Sequence, residues 1–178
     1  SRSFARATTP IEVYRPLLAT AVAVSGCAAA ALYTACEGAL RFRLYDGEGA
    51  QGAPPHLTLS TDTLAALQQQ RRAACSAVDT AAAPLLEALG AGEAELVAVA
   101  DAGKLHGVLA LAWAPGHEPA PGWEEPTLEL TADAALALER CGEREQEQLF
   151  ETFSSAVSAI TDIGLLYTNL IDRLLGAV

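Results

Sequence analysis

The chain of 178 residues carries 22 acidic against 11 basic side chains, a formal net charge of −11, and Lys104 is its only lysine. At 51% hydrophobic residues it is too apolar to be intrinsically disordered, and its length suits one medium domain or a small domain with a helical appendage. It lacks the basic face that displaces counterions from phosphates, so nucleic acid is not an expected partner.

Alanine accounts for 38 residues. Many apolar positions are therefore small, which lets elements pack closely and raises helix propensity. Four cysteines, Cys27, Cys36, Cys75 and Cys141, show no CxxC or His-paired spacing, so no metal site or cofactor is expected. They are read as small hydrophobes in a reducing, cytoplasmic setting.

Thr8-Thr9-Pro10 offers a hydroxyl cap and a first-turn proline, and Ile11, Tyr14, Leu17, Leu18, Ala21 and Val22 then recur at helical spacing. Gly26 ends that helix. The uncharged run Pro16 to Cys36 also has the length of a membrane span. Leu17 to Val24 resembles a signal-peptide core, and Val24-Ser25-Gly26-Cys27 a lipoprotein cleavage box. Much of the run is alanine, nearly neutral in transfer energy, and Ser25-Gly26 interrupts it. A helix, a turn and a strand is the preferred reading, with no membrane partner.

Cys27 to Ala35 reads as a buried strand. Ala39 to Tyr45 alternates, with Leu40, Phe42 and Leu44 on one face and Arg41, Arg43 and Tyr45 on the other, and the two strands form a hairpin. Gly47 to Pro55 is a loop. His56 to Ser60 is a short strand, and Ser60 or Thr61 caps a helix through Arg72 with Leu64 and Leu67 inward. Ala74 to Val78 is a short strand, and Ala81 to Leu89 a short helix ended by Gly90. Glu95 to Ala100 and Leu105 to Trp113 are strands joined by the tight turn Asp101-Ala-Gly-Lys104. After a Pro/Gly loop, the chain from about Trp123 onward reads as helix. The order predicts an α+β fold with a mainly antiparallel sheet and terminal helices on one face.

Ala98-Val-Ala-Asp-Ala-Gly-Lys-Leu-His-Gly-Val-Leu-Ala-Leu-Ala112, an acidic Pro-rich loop, and Leu130-Thr-Ala-Asp-Ala-Ala-Leu-Ala-Leu-Glu-Arg140 resemble the C-terminal half of a GAF domain. Ala31-Leu-Tyr33 and Leu40 to Gly47 are compatible with its front half. Other Ala-rich α+β sensor folds, PAS and roadblock among them, share parts of the pattern. The physical basis is small residues: Gly107 lets its strand lie close under a helix, and Ala134, Ala135 and Ala137 let a helix lie flat on the sheet. The resemblance implies a GAF-like domain over residues 8–145 and a C-terminal helix over 146–178. It implies a non-enzymatic sensory or regulatory module of bacterial signalling type. Its small-molecule pocket would lie on the sheet face away from the terminal helices, and it would form a homodimer through those helices.

Arg41, Arg43, Tyr45 and His106 are the candidate ligand-binding residues. Under the resemblance Arg41 and Arg43 would reach an acidic ligand bidentately; the alternative is a solvated sheet face or a pairing with Asp46. His106, opposite the Gly107/Leu109/Leu111 face, suits haem or an anion. No catalytic grouping is visible: His56, His106 and His117 lie far apart, and Arg71-Arg72 reads as a basic pair complementing a helix dipole.

Phe153, Ile160, Tyr167 and Leu174 recur every seven residues, with Leu149, Ala156, Ile163, Leu170 and Ala177 as the companion series. Val157, Ile171 and Val178 widen the stripe, and Gly164 is a weak point. Such a face must be covered, by its own copy in a dimer, by the N-terminal helix in a bundle or by folding back on its own domain, and the dimer is the expected cover. Two rival readings are a scaffold whose pocket is filled by its own side chains, and a redox enzyme or sensor similar to free methionine-R-sulfoxide reductase. That enzyme needs reactive loop cysteines. Here Cys27 and Cys36 flank a strand and Cys141 lies on a helix.

Overall fold

The computed structural model describes residues 4–36, 38–47, 53–76, 80–102 and 104–175, with the side chains of the last helix described as far as Val157. The elements are α1 (Pro10–Ser25), β1 (Ala29–Cys36), β2 (Ala39–Gly47), β3 (His56–Leu57), α2 (Thr61–Gln70), β4 (Arg72–Ser76), α3 (Ala83–Leu89), β5 (Glu93–Asp101), β6 (Lys104–Ala112) and α4 (Glu124–Leu175). The six strands form one antiparallel sheet in the order β3-β2-β1-β6-β5-β4.

Two compact units divide the chain, Ser1–Cys141 and Gly142–Val178. In the first, the sheet is covered on both faces. On one face α1 contributes Val13, Leu17, Leu18 and Ala21, and α4 contributes Leu130, Ala134, Ala135, Ala137 and Cys141. They enclose Ala30, Leu32, Val97, Val99, Leu109 and Leu111. On the other face α2 and α3 place Leu67, Leu85, Leu86 and Leu89 over Ala31, Tyr33, Leu96, Ala98, Val108 and Ala110. Each fully buried leucine contributes roughly 2 kcal/mol of apolar burial. This is the α+β architecture, terminal helices on one face, that the element order predicts.

The local causes are readable. The Glu12 carboxylate accepts the backbone N–H groups of Thr8 (2.7 Å) and Thr9 (3.3 Å) at the start of α1. Gly26, at φ 64°, ends α1 with its N–H on the Val22 carbonyl. Ser60 Oγ accepts from the Thr63 N–H at the start of α2. The carbonyl of Ser25 accepts both the Ala120 N–H (3.0 Å) and Trp113 Nε1–H (3.1 Å), tying the β6–α4 loop to the end of α1.

Three expectations need correction. The buried stripe of α1 is Val13, Leu17, Leu18, Ala21 and Ser25, while Ile11 is exposed and Tyr14 and Val22 are half-buried. Val13, Leu17 and Ala21 are spaced four apart, and that row faces the sheet. Arg71 and Arg72 do not continue α2. Arg71 sits at φ 60° and closes the helix, and Arg72 begins β4.

The third concerns β2, where strict alternation fails. Leu32 pairs with Leu44 but Tyr33 pairs with Phe42, so Arg43 is an extra residue in a β-bulge. Leu44 packs into the terminal-helix core, while Leu40, Phe42 and Tyr45 belong to the opposite core. The backbone of α4 is helical through Gly164. Among the described residues no helix is long and apolar enough to cross a membrane.

Gly107 shows how little slack the sheet centre has. A Cβ there would clash with the Tyr33 carbonyl oxygen and lie 3.3 Å from Thr34 Cα, both backbone atoms of the neighbouring strand. Gly92, by contrast, has nothing within 4 Å of such an atom. Gly107→Ala should destabilise the protein by on the order of 2–3 kcal/mol through forced strand separation, whereas Gly92→Ala should be neutral or slightly stabilising. Urea titration of both variants, read as midpoint and slope, checks the contrast.

Candidate functional site

The four candidate residues do not share a face. Arg41 pairs in register with Thr34, which lies on the terminal-helix side two residues beyond Leu32. Arg43 Nε donates to Thr34 Oγ1 at 2.6 Å, on that same side. Tyr45 pairs with Ala31 and packs into the opposite core. The bulge at Arg43 is the cause: it reverses the phase of the strand between Phe42 and Leu44.

A second bulge moves His106. Val99 pairs with Gly107 and Ala100 with Leu105, leaving His106 as the extra residue of β6. The imidazole therefore stands on the terminal-helix side, with Gly107, rather than opposite to it. The charges that act on it are Lys104, Glu139 of α4 and Asp101. Lys104 Nζ lies 3.7 Å from Glu139 Oε1. His106 Nε2 is buried and, among the described residues, without a hydrogen-bond partner, and burial, assisted by Lys104, holds its pKa below the ordinary 6.5.

The face that the family resemblance assigns to a ligand carries core side chains of the chain itself, packed against α2 and α3. Tyr33 stands at its centre, fully buried and edge-on to Phe42 with ring centroids 5.7 Å apart. Among the described residues its hydroxyl has no hydrogen-bond partner, and burial pushes its pKa up to about 12. The hydroxyl of Tyr45 is likewise buried and, among the described residues, without a hydrogen-bond partner, its pKa raised by burial and by the neighbouring Asp46. Two phenol groups inside one apolar layer are unusual, since a buried hydroxyl normally finds a partner. Sequence reading weighed Tyr45 but missed Tyr33, whose place in an apolar run made it look like core.

A groove of about 650 Å³ opens elsewhere, along the β4–β5 edge and the β6–α4 loop, and its walls include Ala74, Cys75, Glu93, Glu95, Trp113 and His117. None of the four candidate residues reaches it. Beside it Arg72 makes three contacts: Nε to Glu95 Oε1 at 2.8 Å, Nη1 to Glu124 Oε1 at 3.7 Å, and the guanidinium 5.6 Å over the Trp123 ring. Trp123 in turn packs on Trp113 at 5.1 Å. This cluster joins β4 and β5 to the first turn of α4. Sequence reading placed Arg72 at a helix end and so missed it.

Among the described residues none of the four cysteines is in a disulfide; Cys27, Cys75 and Cys141 are buried and Cys36 partly so. Burial raises the Cys27 thiol pKa, which makes its thiolate scarcer. Among the described residues no three His, Cys, Asp or Glu side chains converge as a metal site would require. His56 pairs with Arg41 in the short strand β3, and His117 sits in a turn closed on the Ala114 carbonyl.

In the second unit, Leu149, Phe150, Phe153 and Val157 are exposed on α4. Ile160, Ile163, Tyr167, Leu170 and Leu174, the rest of the expected pairing series, have side chains outside the described residues.

His106 sets a pH dependence. Folding holds its pKa below the unfolded value near 6.5, so the unfolded chain binds the extra proton first. Stability should fall as pH drops below about 6.5 and level off once the folded imidazole also protonates. His106→Leu should flatten this loss between pH 7 and 5, above the range where the lowered carboxylate of Glu12 begins to titrate. Thermal melts at half-unit pH steps measure it.

No protein-family model matches the chain, and no curated protein matches it in sequence. Solved structures do match in fold. A cyanobacteriochrome TePixJ GAF domain superposes with a TM-score of 0.64 at 15% identity, covering 78% of this chain and 94% of that one. The GAF domain of a two-component sensor histidine kinase from Bacillus halodurans gives 0.63 at 14%, covering 78% and 99%. The GAF-B domain of DevS from Mycobacterium smegmatis gives 0.58 at 17%, covering 78% and 98%. With its six-stranded antiparallel sheet between the α1/α4 layer and the α2/α3 layer, the chain has a GAF-like fold.

Proposed function

We propose that the protein is a non-enzymatic regulatory module that pairs with its own copy through α4 and takes part in signalling by changing that pairing. The observation that carries this reading is the character of α4. Between Leu130 and Cys141 the helix gives its apolar side chains to the sheet, and from Leu149 it carries large apolar side chains into solvent. An exposed run of this kind marks an interaction surface. A change in packing on the sheet would shift the population of paired states through that helix. The structural neighbours belong to signalling proteins: a cyanobacteriochrome and a two-component sensor histidine kinase.

The buried state of Cys27, Cys75 and Cys141 favours this reading over a cysteine-based redox activity, which needs accessible thiolates. Sedimentation of the full chain should give a mass above 18.4 kDa, and Phe153→Glu should return it to that value with its far-ultraviolet dichroism retained. A full chain that is monomeric at micromolar concentration would sink the proposal.

The buried hydroxyls favour a second reading, in which the module also takes a small ligand carrying a hydrogen-bond acceptor for Tyr33 or Tyr45. Without a ligand, Tyr33→Phe removes an unpaired polar group and should raise stability by about 1 kcal/mol. If native mass spectrometry finds a retained small molecule, the same variant should lose it. Retention unchanged by Tyr33→Phe speaks against this ligand site.

A further inference from the structure

We propose that the C-terminal tail assembles as a bundle of four helices contributed by four copies of this chain. The inference deepens the self-pairing reading above and rests on it. Its basis is the width of the apolar stripe. In heptad terms Phe153, Ile160, Tyr167 and Leu174 are a positions, and Leu149, Ala156, Ile163 and Leu170 are d positions. A two-stranded coiled coil is covered by these two columns alone, and its flanking e and g columns are polar and charged, setting partner choice by salt bridges.

Here the e column reads Phe150, Val157, Gly164, Ile171, and the g column reads Thr152, Ala159, Leu166, Arg173. One charge in eight positions is no salt-bridge code. The described part of the tail agrees with the sequence. Phe150 is 73% exposed, as open as the a and d residues Phe153 (69%) and Leu149 (70%), and Val157 is 45% exposed. A dimer sealed along a and d would leave the phenylalanine and the β-branched residues of the e column in water. A helix apolar at a, d and e needs neighbours on two sides, the geometry of a four-helix bundle.

Charge permits the occupants to be copies of one chain. The whole chain carries −11, but residues 149–178 hold only Glu151, Asp162 and Asp172 against Arg173. Of these acids, Glu151 and Asp172 fall in the f column and Asp162 in the c column, the side of the heptad away from the seam. Four tails therefore meet with little mutual repulsion at the apolar face. The small residues Ala156, Ala159 and Gly164 lie among the large ones, which suits interdigitated layers.

The test is sedimentation equilibrium of the full chain at micromolar concentration. The expected mass is four times 18.4 kDa. Phe150→Ser combined with Val157→Ser should halve that mass, because it makes the described part of the e column polar and spares a and d. Ser154→Glu, at an outer b position, should leave the fourfold mass unchanged. Far-ultraviolet dichroism accompanies each variant; should the double variant lose helix, Phe150→Ser alone replaces it, with the same expected halving. A full chain that sediments as a dimer overturns the bundle of four and leaves self-pairing intact. A monomer overturns both. A fourfold mass that survives the e-column substitution, or is lost in Ser154→Glu, overturns the assignment of faces.

Discussion

The central pair of strands, β1 and β6, has no face turned to water. Every residue from Ala29 to Thr34 is buried, and so is every residue from Gly107 to Ala112. A strand in that position cannot alternate apolar and polar residues, and both of its faces must fit beneath helices. The chain meets the requirement by alternating bulk with near-absence of bulk. Leu32, Leu109 and Leu111 fill the layer beneath α1 and α4, while Ala29, Ala31, Ala110 and Ala112 thin the layer beneath α2 and α3 and leave room for Tyr33. At Gly107 even one carbon is excluded by the neighbouring backbone. The alanine-rich composition follows from this double burial as much as from helix propensity.

The same constraint explains what could and could not be read from the residues. Element type and order were legible because the helices carry caps and stripes and the strands are short runs bounded by Gly, Pro and polar residues. The β5–β6 hairpin followed from two apolar runs joined by a tight turn, and the packing of Ala134, Ala135 and Ala137 from residue size. The faces of β2 and the position of His106 were not legible. Each depends on one inserted residue, and a bulge leaves no trace in apolar periodicity because either phase gives a plausible alternation. Arg41, Arg43, Tyr45 and His106 were consequently grouped by a phase that the sheet does not keep.

Tyr33 was missed for the opposite reason. Sequence patterning registers it as one more apolar residue in an apolar run, and only the packed structure reveals that its hydroxyl has been carried into a dry layer. Arg72 was misread because α2 ends at Gln70, two residues earlier than its pattern suggests. That difference moves its guanidinium from a helix terminus to the junction of β4, β5 and α4. In both cases chemistry was set by tertiary position, to which local sequence is blind.

The basic residues have a further consequence. Lys104 is the only lysine in the chain, and it stands at the tip of the β5–β6 hairpin, largely exposed and facing Glu139 of α4. All side-chain amine chemistry of the protein therefore has one address. An acyl group placed there would cancel the charge of Lys104 and leave the Glu139 carboxylate without its partner, beside the imidazole of His106. A fluorophore coupled through the same amine would report from a single, defined point at the meeting of the sheet and its long helix.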